Sequence, residues 1–153
     1  MSDIDALDAC DVTVDNAAFT GASRVQGYAV PFEQQTDEAF ELACLNLNVP
    51  SSLSRRLAPL LRAHGRGSVI NVSSIHGCLS TVLATEIRVN AFAPGGIERG
   101  QAPEFIERYE RLTPLGRMAT EDDFRGIVTW LAGDASAYVT GQVIAVDGGW
   151  TAW

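Results

Sequence analysis

The alternation of apolar and polar positions divides the chain into short β-prone runs separated by longer stretches with helical spacing. "DVTV" (11–14) is the first such run, followed by the polar, glycine-containing stretch "DNAAFTGASRVQG". In "EQQTDEAFELACLNLN" (33–48), Phe40, Leu42, Leu45 and Leu47 are among the apolar positions of a helical pattern. "SSLSRRLAPLLRAHG" (51–65) sets Leu53, Leu57, Leu60 and Leu61 at i, i+4, i+7 and i+8, one stripe of a helix that Gly65 ends. Pro59 inside that stripe predicts a kink or an irregular turn, because proline lacks the N–H that the helix ladder needs.

"GSVINVSS" (67–74) and "IRVNAFAPGG" (87–96) read as buried strands that end in small polar or glycine-rich turns. "PEFIERYERL" (103–112) is a charged amphipathic helix, and "TEDDFRGIVTWLAG" (120–133) opens with a threonine N-cap and three acids and closes at Gly133. "GQVIAVDGG" (141–149) is a fourth strand, with Trp150 and Trp153 in the tail. Strands alternating with helices predict an α/β fold: a partial Rossmann-like, doubly wound parallel sheet of about four strands with helices on its faces. Ligands of such sheets gather where strand C-ends open into loops. "DNAA", "SSIHG", "PGGI" and "DGG" all follow strands, and the first three are expected on one rim.

The 153 residues suit one domain over 1–153, with residues 1–10 expected to be poorly ordered. A 46% hydrophobic and 20% charged composition is that of a globular chain. A net charge of −8 argues against nucleic acid and anionic membrane as partners, since both call for basic patches. All eleven basic residues are arginine; the sequence contains no lysine. Cys10, Cys44 and Cys78 lack metal-ligand spacing and read as free buried thiols. The acidic "MSDIDALDACD" start lacks a signal peptide's basic region, and no apolar run is long enough for a bilayer, so a cytoplasmic location is expected.

At its turns the chain resembles the short-chain dehydrogenase/reductase family. "VDNAA" is similar to that family's Asn-Asn-Ala-Gly turn, and Asn46 in "CLNLNVP" matches its helix asparagine. "INVSS" matches its serine strand, "RVNAFAPGGI" its Pro-Gly turn and "YVTGQVIAVDGGW" its C-terminal strand, so the resemblance runs in order from about residue 11 to 153. "ERYERLTPLGRMATEDDF" is similar to a branch associated with bacterial nonulosonic-acid and flagellin-sugar biosynthesis.

The resemblance implies NAD or NADP as cofactor and hydride transfer to or from a sugar or other small alcohol or ketone. It assigns Ser74 as the catalytic serine and Asn46 as the asparagine of the proton relay. Asn16, Ala17 and Ala18 would touch the adenosine ribose, and Pro94, Gly95, Gly96 and Ile97 would wrap the nicotinamide. It also implies a homo-oligomer built through the helices around 34–64 and the C-terminal helix–strand pair. Plain structural roles stand beside these: "DNAA" serves equally as a strand-to-loop turn, and Ser73 and Ser74 as caps of a strand end.

The sequence departs from the family at two places. A phenol titrates near ~10 and is a poor base at neutral pH without a cation beside it, so the family pairs a tyrosine with a lysine four residues on. Four residues after Tyr28, Tyr109 and Tyr138 stand Phe32, Thr113 and Gln142, and "HGCLSTVLATE" (76–86) reads as a crossover helix with its catalytic portion removed. The glycine-rich pyrophosphate loop belongs well before "DNAA", yet the fifteen residues preceding Asn16 contain no glycine. The first βαβ half is therefore expected to be missing, and Asp15 stands where the turn's first asparagine belongs. His76 near Ser74 does not make a hydrolase, because no Gly-x-Ser-x-Gly elbow surrounds it. Two readings follow: an NAD(P)-dependent oxidoreductase by family that is impaired as this chain, and a non-catalytic remnant serving oligomerisation or interaction.

Overall fold

The computed structural model describes residues 3–17, 30–63, 65–73 and 87–152. Its sheet has four parallel strands in sequential order: β1 (Val12–Asp15), β2 (Gly67–Val72), β3 (Ile87–Pro94) and β4 (Val143–Val146). Val69 pairs with Thr13 on one side and Val89 on the other, and Phe92 pairs with Ile144. All four strand C-ends lie on one edge, so the "DGG" turn joins the rim that the other turns were expected to form.

A long helix, α1 (Asp37–Ala63), crosses one face of the sheet. Thr36 starts it, its hydroxyl accepting the Ala39 N–H at 3.2 Å, with Asp37 and Glu38 in the first turn where the helix dipole favours acids. The stripe read from the sequence packs as expected: Leu57, Ala58 and Leu61 are buried against Val69, Ile87 and Val89, with Leu53 and Leu60 beside them. The helix passes through Pro50 and Pro59 without the irregular turn that was one of the two expectations at Pro59. Leu57, Ala58 and Leu61 pin the helix to the sheet on both sides of Pro59, whose ring faces solvent, and this packing outweighs the lost ladder bond. Gly65 follows the helix, donating its N–H to the Arg62 carbonyl at 2.9 Å.

On the opposite face α3 (Arg125–Ala132) buries Leu131 against Ile70, Phe92 and Phe124. Two polar residues of β3 hold this layer together. Arg88 donates to the carbonyl of Leu131 at 2.9 Å and to the Ser136 hydroxyl at 2.8 Å, placing a cation at the negative end of α3. Burial lowers its pKa, and Asp134 opposes that shift. Asn90, fully buried, donates to the Val139 carbonyl and accepts the Gln142 N–H, fixing the loop that enters β4. Among the described residues no helix is long and apolar enough to cross a membrane.

Candidate functional site

The rim is built where β3 and β4 end. Gly95 donates its N–H to the Val146 carbonyl at 3.0 Å, and a Cβ on Gly95 would lie 2.8 Å from the Asp147 Cα. The two strand ends approach too closely for any side chain there. Ile97 then bridges to Ala119, with the Ala119 N–H donated to the Gly96 carbonyl at 2.8 Å and the Glu98 N–H to the Ala119 carbonyl at 2.9 Å.

Helix α2 (Pro103–Leu112) closes over this loop. Its Ile106–Tyr109–Thr113 spacing sends Tyr109 inward, where the phenol oxygen accepts the Gly96 N–H at 2.5 Å. The Tyr109 ring stacks on Trp150, with centroids 4.2 Å apart and planes 18° apart. The Asp-Gly-Gly turn completes the wall. Gly148 and Gly149 take positive φ values of 68° and 90°, and added Cβ atoms would meet Thr113 at 2.7 Å and Pro114 at 2.8 Å. Glycine is required there by conformation and by space.

Two carboxylates organise the surrounding loops. Asp147 accepts the N–H groups of Gly149 and Thr151, both at 2.9 Å, and the Thr151 hydroxyl at 2.7 Å. Burial pushes its carboxyl up, but these bonds outweigh that and hold it below the usual carboxylate range. Asp123 receives both guanidinium nitrogens of Arg117, at 2.8 and 2.7 Å, and the Thr120 N–H at 2.7 Å. Arg117 foremost, with Thr120, holds that carboxyl far below its ordinary value. A cleft of about 130 Å³ lies among Gly95, Gly96, Tyr109, Arg117, Asp123 and Asp147.

The residues expected from the sequence fall unevenly on this rim. Pro94, Gly95, Gly96 and Ile97 form its centre, all partly buried. Asn16 and Ala17 follow β1 and are exposed, whereas Ala18 lies outside the described residues. Asp15 is buried and accepts the Ser54 hydroxyl at 3.4 Å; burial raises its pKa, against the lowering effect of Ser54. Asn46 is half-buried in α1, eight residues before Ser54 and so about 12 Å further along the axis. Ser74, His76, Cys78 and the 76–86 crossover lie outside the described residues; Ser73, just before them, donates its N–H to the Phe92 carbonyl at 2.9 Å. Sequence reasoning missed Tyr109, Gln101 and Asp147. The signals were present in the helical spacing of Ile106, Tyr109 and Thr113 and in the Asp-Gly-Gly turn.

Among the described residues, groups of the Pro94–Ile97 loop are taken by the chain's own side chains. Gly96 N–H is committed to Tyr109, and the Ile97 carbonyl accepts the Gln101 side-chain amide at 2.8 Å. The adjoining cleft of about 130 Å³ is well below the roughly 300–1,000 Å³ of sites that enclose cofactor-sized ligands.

A family profile described as enoyl-(acyl carrier protein) reductase matches residues 78–151. A tropinone reductase homolog of Arabidopsis thaliana is 33% identical over 148 residues, covering 78% of this chain and 56% of its own length. Galactitol 2-dehydrogenase (L-tagatose-forming) of Cereibacter sphaeroides is 30% identical over 152 residues, covering 78% of this chain and 60% of its own length. The crystal structure of a short chain dehydrogenase from Leptospira borgpetersenii with bound NAD+ superposes with a TM-score of 0.77 at 31% identity, over 92% of this chain and 65% of that one. The chain thus spans less than two thirds of the length of these relatives. Over the part it shares with them, its parallel sheet and its sequence belong with the Rossmann-fold short-chain dehydrogenase/reductase family.

Proposed function

We propose that the chain descends from NAD(P)-dependent oxidoreductases acting on a sugar or other small alcohol or ketone, and that as this chain it is impaired in hydride transfer. The observation that carries this reading is the closed loop. The Gly96 N–H is bonded to Tyr109 and the Ile97 carbonyl to Gln101. In this reading Pro94–Ile97 and Asn16–Ala18 mark the inherited NAD or NADP positions, and Ser74 and Asn46 the inherited substrate side. A lysine-free sequence supports it from the chemical side, because no ammonium is available to lower a tyrosine's pKa. The relatives' printed names, a galactitol 2-dehydrogenase and a dehydrogenase holding NAD+, support the oxidoreductase descent.

The test is calorimetric titration with NAD+ and NADP+, together with nicotinamide absorbance in the presence of polyols and ketoses. No saturable binding tighter than about 1 mM and no turnover are expected. Turnover with either cofactor would overturn the impairment. A second reading, a non-catalytic module for association, has its own observation: α1 exposes Phe40, Leu47 and Val49, with Phe40 68% exposed. Sedimentation of the wild type against Phe40→Glu, alongside the cofactor titration, tests it: an oligomer lost in the variant with no cofactor bound by the wild type supports the association module, and a wild type that sediments as a monomer overturns it.

A further inference from the structure

The cleft at the rim contains a hydrogen-bonding group that the closed loop uses only in part. The Tyr109 oxygen accepts the Gly96 N–H, and among the described residues no group accepts the hydroxyl's own proton. A hydroxyl that already accepts one bond is polarised and donates the next more strongly. Tyr109 shares the cleft with three apolar side chains, Leu115, Ala119 and Val146. Of these Leu115 is the most exposed. Its N–H is fixed to the Gly148 carbonyl at 3.1 Å, yet the residue is 69% exposed. One donor beside an uncovered apolar wall is the lining of a small-molecule site, where an apolar body gains more than water does from covering the wall.

Charge and size narrow the ligand. Arg117 is bonded twice to Asp123 and once to the Met118 carbonyl, at 3.0 Å, while Asp147 takes its donors from the turn it organises. With Arg117, Asp123 and Asp147 all in the lining, one negative charge is left over, and it disfavours an anion. A cavity of roughly 150 Å³ accepts benzene, so the cleft of about 130 Å³ suits a body of about five or six non-hydrogen atoms. We propose that this cleft binds a small neutral carbonyl compound, whose oxygen accepts the Tyr109 hydroxyl and whose alkyl part covers Leu115 and Val146. The inference shares the closed loop with the oxidoreductase reading but needs neither cofactor nor turnover, so the two fail separately.

The experiment follows the backbone amides of the full chain by NMR, without cofactor, during titration with methyl isopropyl ketone and with isobutyrate. The two probes have the same shape, and only isobutyrate is charged. Saturable shifts centred on the Gly95, Gly96 and Gly148 amides are expected with the ketone, with a Kd of about 1–10 mM, as suits so few atoms. Isobutyrate is expected to bind about tenfold or more weakly. Tyr109→Phe keeps the ring and removes the donor, and is expected to weaken the ketone by about fivefold to tenfold. Leu115→Ser, at an exposed position, is expected to weaken it several-fold, and it decides the matter if Tyr109→Phe disturbs the loop. Isobutyrate binding as tightly as the ketone overturns the proposal, as does ketone binding unchanged in Leu115→Ser or in a folded Tyr109→Phe. Shifts that are absent, or that grow without saturating, also overturn it, since the cleft then holds water only.

Discussion

At Gly96 there is no room for a methyl group. A Cβ there would lie 2.7 Å from the Tyr109 ring and 3.0 Å from Met118, which is buried. Gly96→Ala is therefore expected to destabilise the protein by about 1–3 kcal/mol, as overpacking does, and to separate Tyr109 from Trp150. Urea unfolding followed by tryptophan fluorescence checks it. The same packing gives the Pro-Gly-Gly turn a structural role of its own: Gly95 answers to Asp147 and Gly96 to Tyr109. At Asp147 the expectation concerns pH. A carboxyl whose folded pKa is depressed contributes stability that is full above its unfolded value, near ~4, and lost as pH falls through the folded one. Asp147→Ala is expected to cost about 1–3 kcal/mol at pH 7 by leaving the turn's donors without their acceptor, and the difference from wild type narrows in acid. Asp15 runs the other way. Its raised pKa means that ionising it opposes folding, so Asp15→Asn stabilises at neutral pH, and the gain shrinks as pH falls through the raised folded value and is gone below the unfolded one, near ~4.

At the scale of elements, α1 shows where a local rule yields to packing. Proline inside a helix costs up to about 3 kcal/mol, yet both Pro50 and Pro59 are carried within α1. Replacing the solvent-facing Pro59 by alanine is expected to raise stability by about 1–3 kcal/mol, read as a shift in the urea midpoint at constant m. A loss would show that the proline ring itself packs usefully. The strands were legible in the sequence, because "VINV", "RVNAFA" and "VIAV" are short, β-branched or buried runs bounded by turn residues. So was the Leu53–Leu61 stripe, whose period no other element disputes. The continuity of α1 was not legible, since it depends on what Leu57 and Leu61 meet across 67–89, information that no local window holds. The Pro94–Ile97 turn could be found by its letters, but its occupation by Tyr109 could not. That contact joins residues 13 apart through a loop whose path depends on β4 and the Asp147 turn.

At the scale of the molecule, the sheet and the rim are fastened by different means. The sheet is held by two apolar layers, Leu61 with Val69 and Val89 on one face and Ile70 with Phe92 and Leu131 on the other. The rim is held by a phenol, two carboxylates and a ring stack, with α2 burying none of its residues completely. Elements with little buried apolar area open at lower free energy than the core. Because Tyr109 and Trp150 lie face to face at 4.2 Å, their electronic transitions couple, and the protein carries an optical readout of its own closure. Circular dichroism near 280 nm is dominated by such asymmetric aromatic pairs, whereas the peptide bands below 230 nm report helix and strand. On mild heating the aromatic signal is expected to fade before the peptide signal, marking α2 lifting from an intact sheet. A single coincident transition would instead mean that α2 and the sheet melt as one cooperative body.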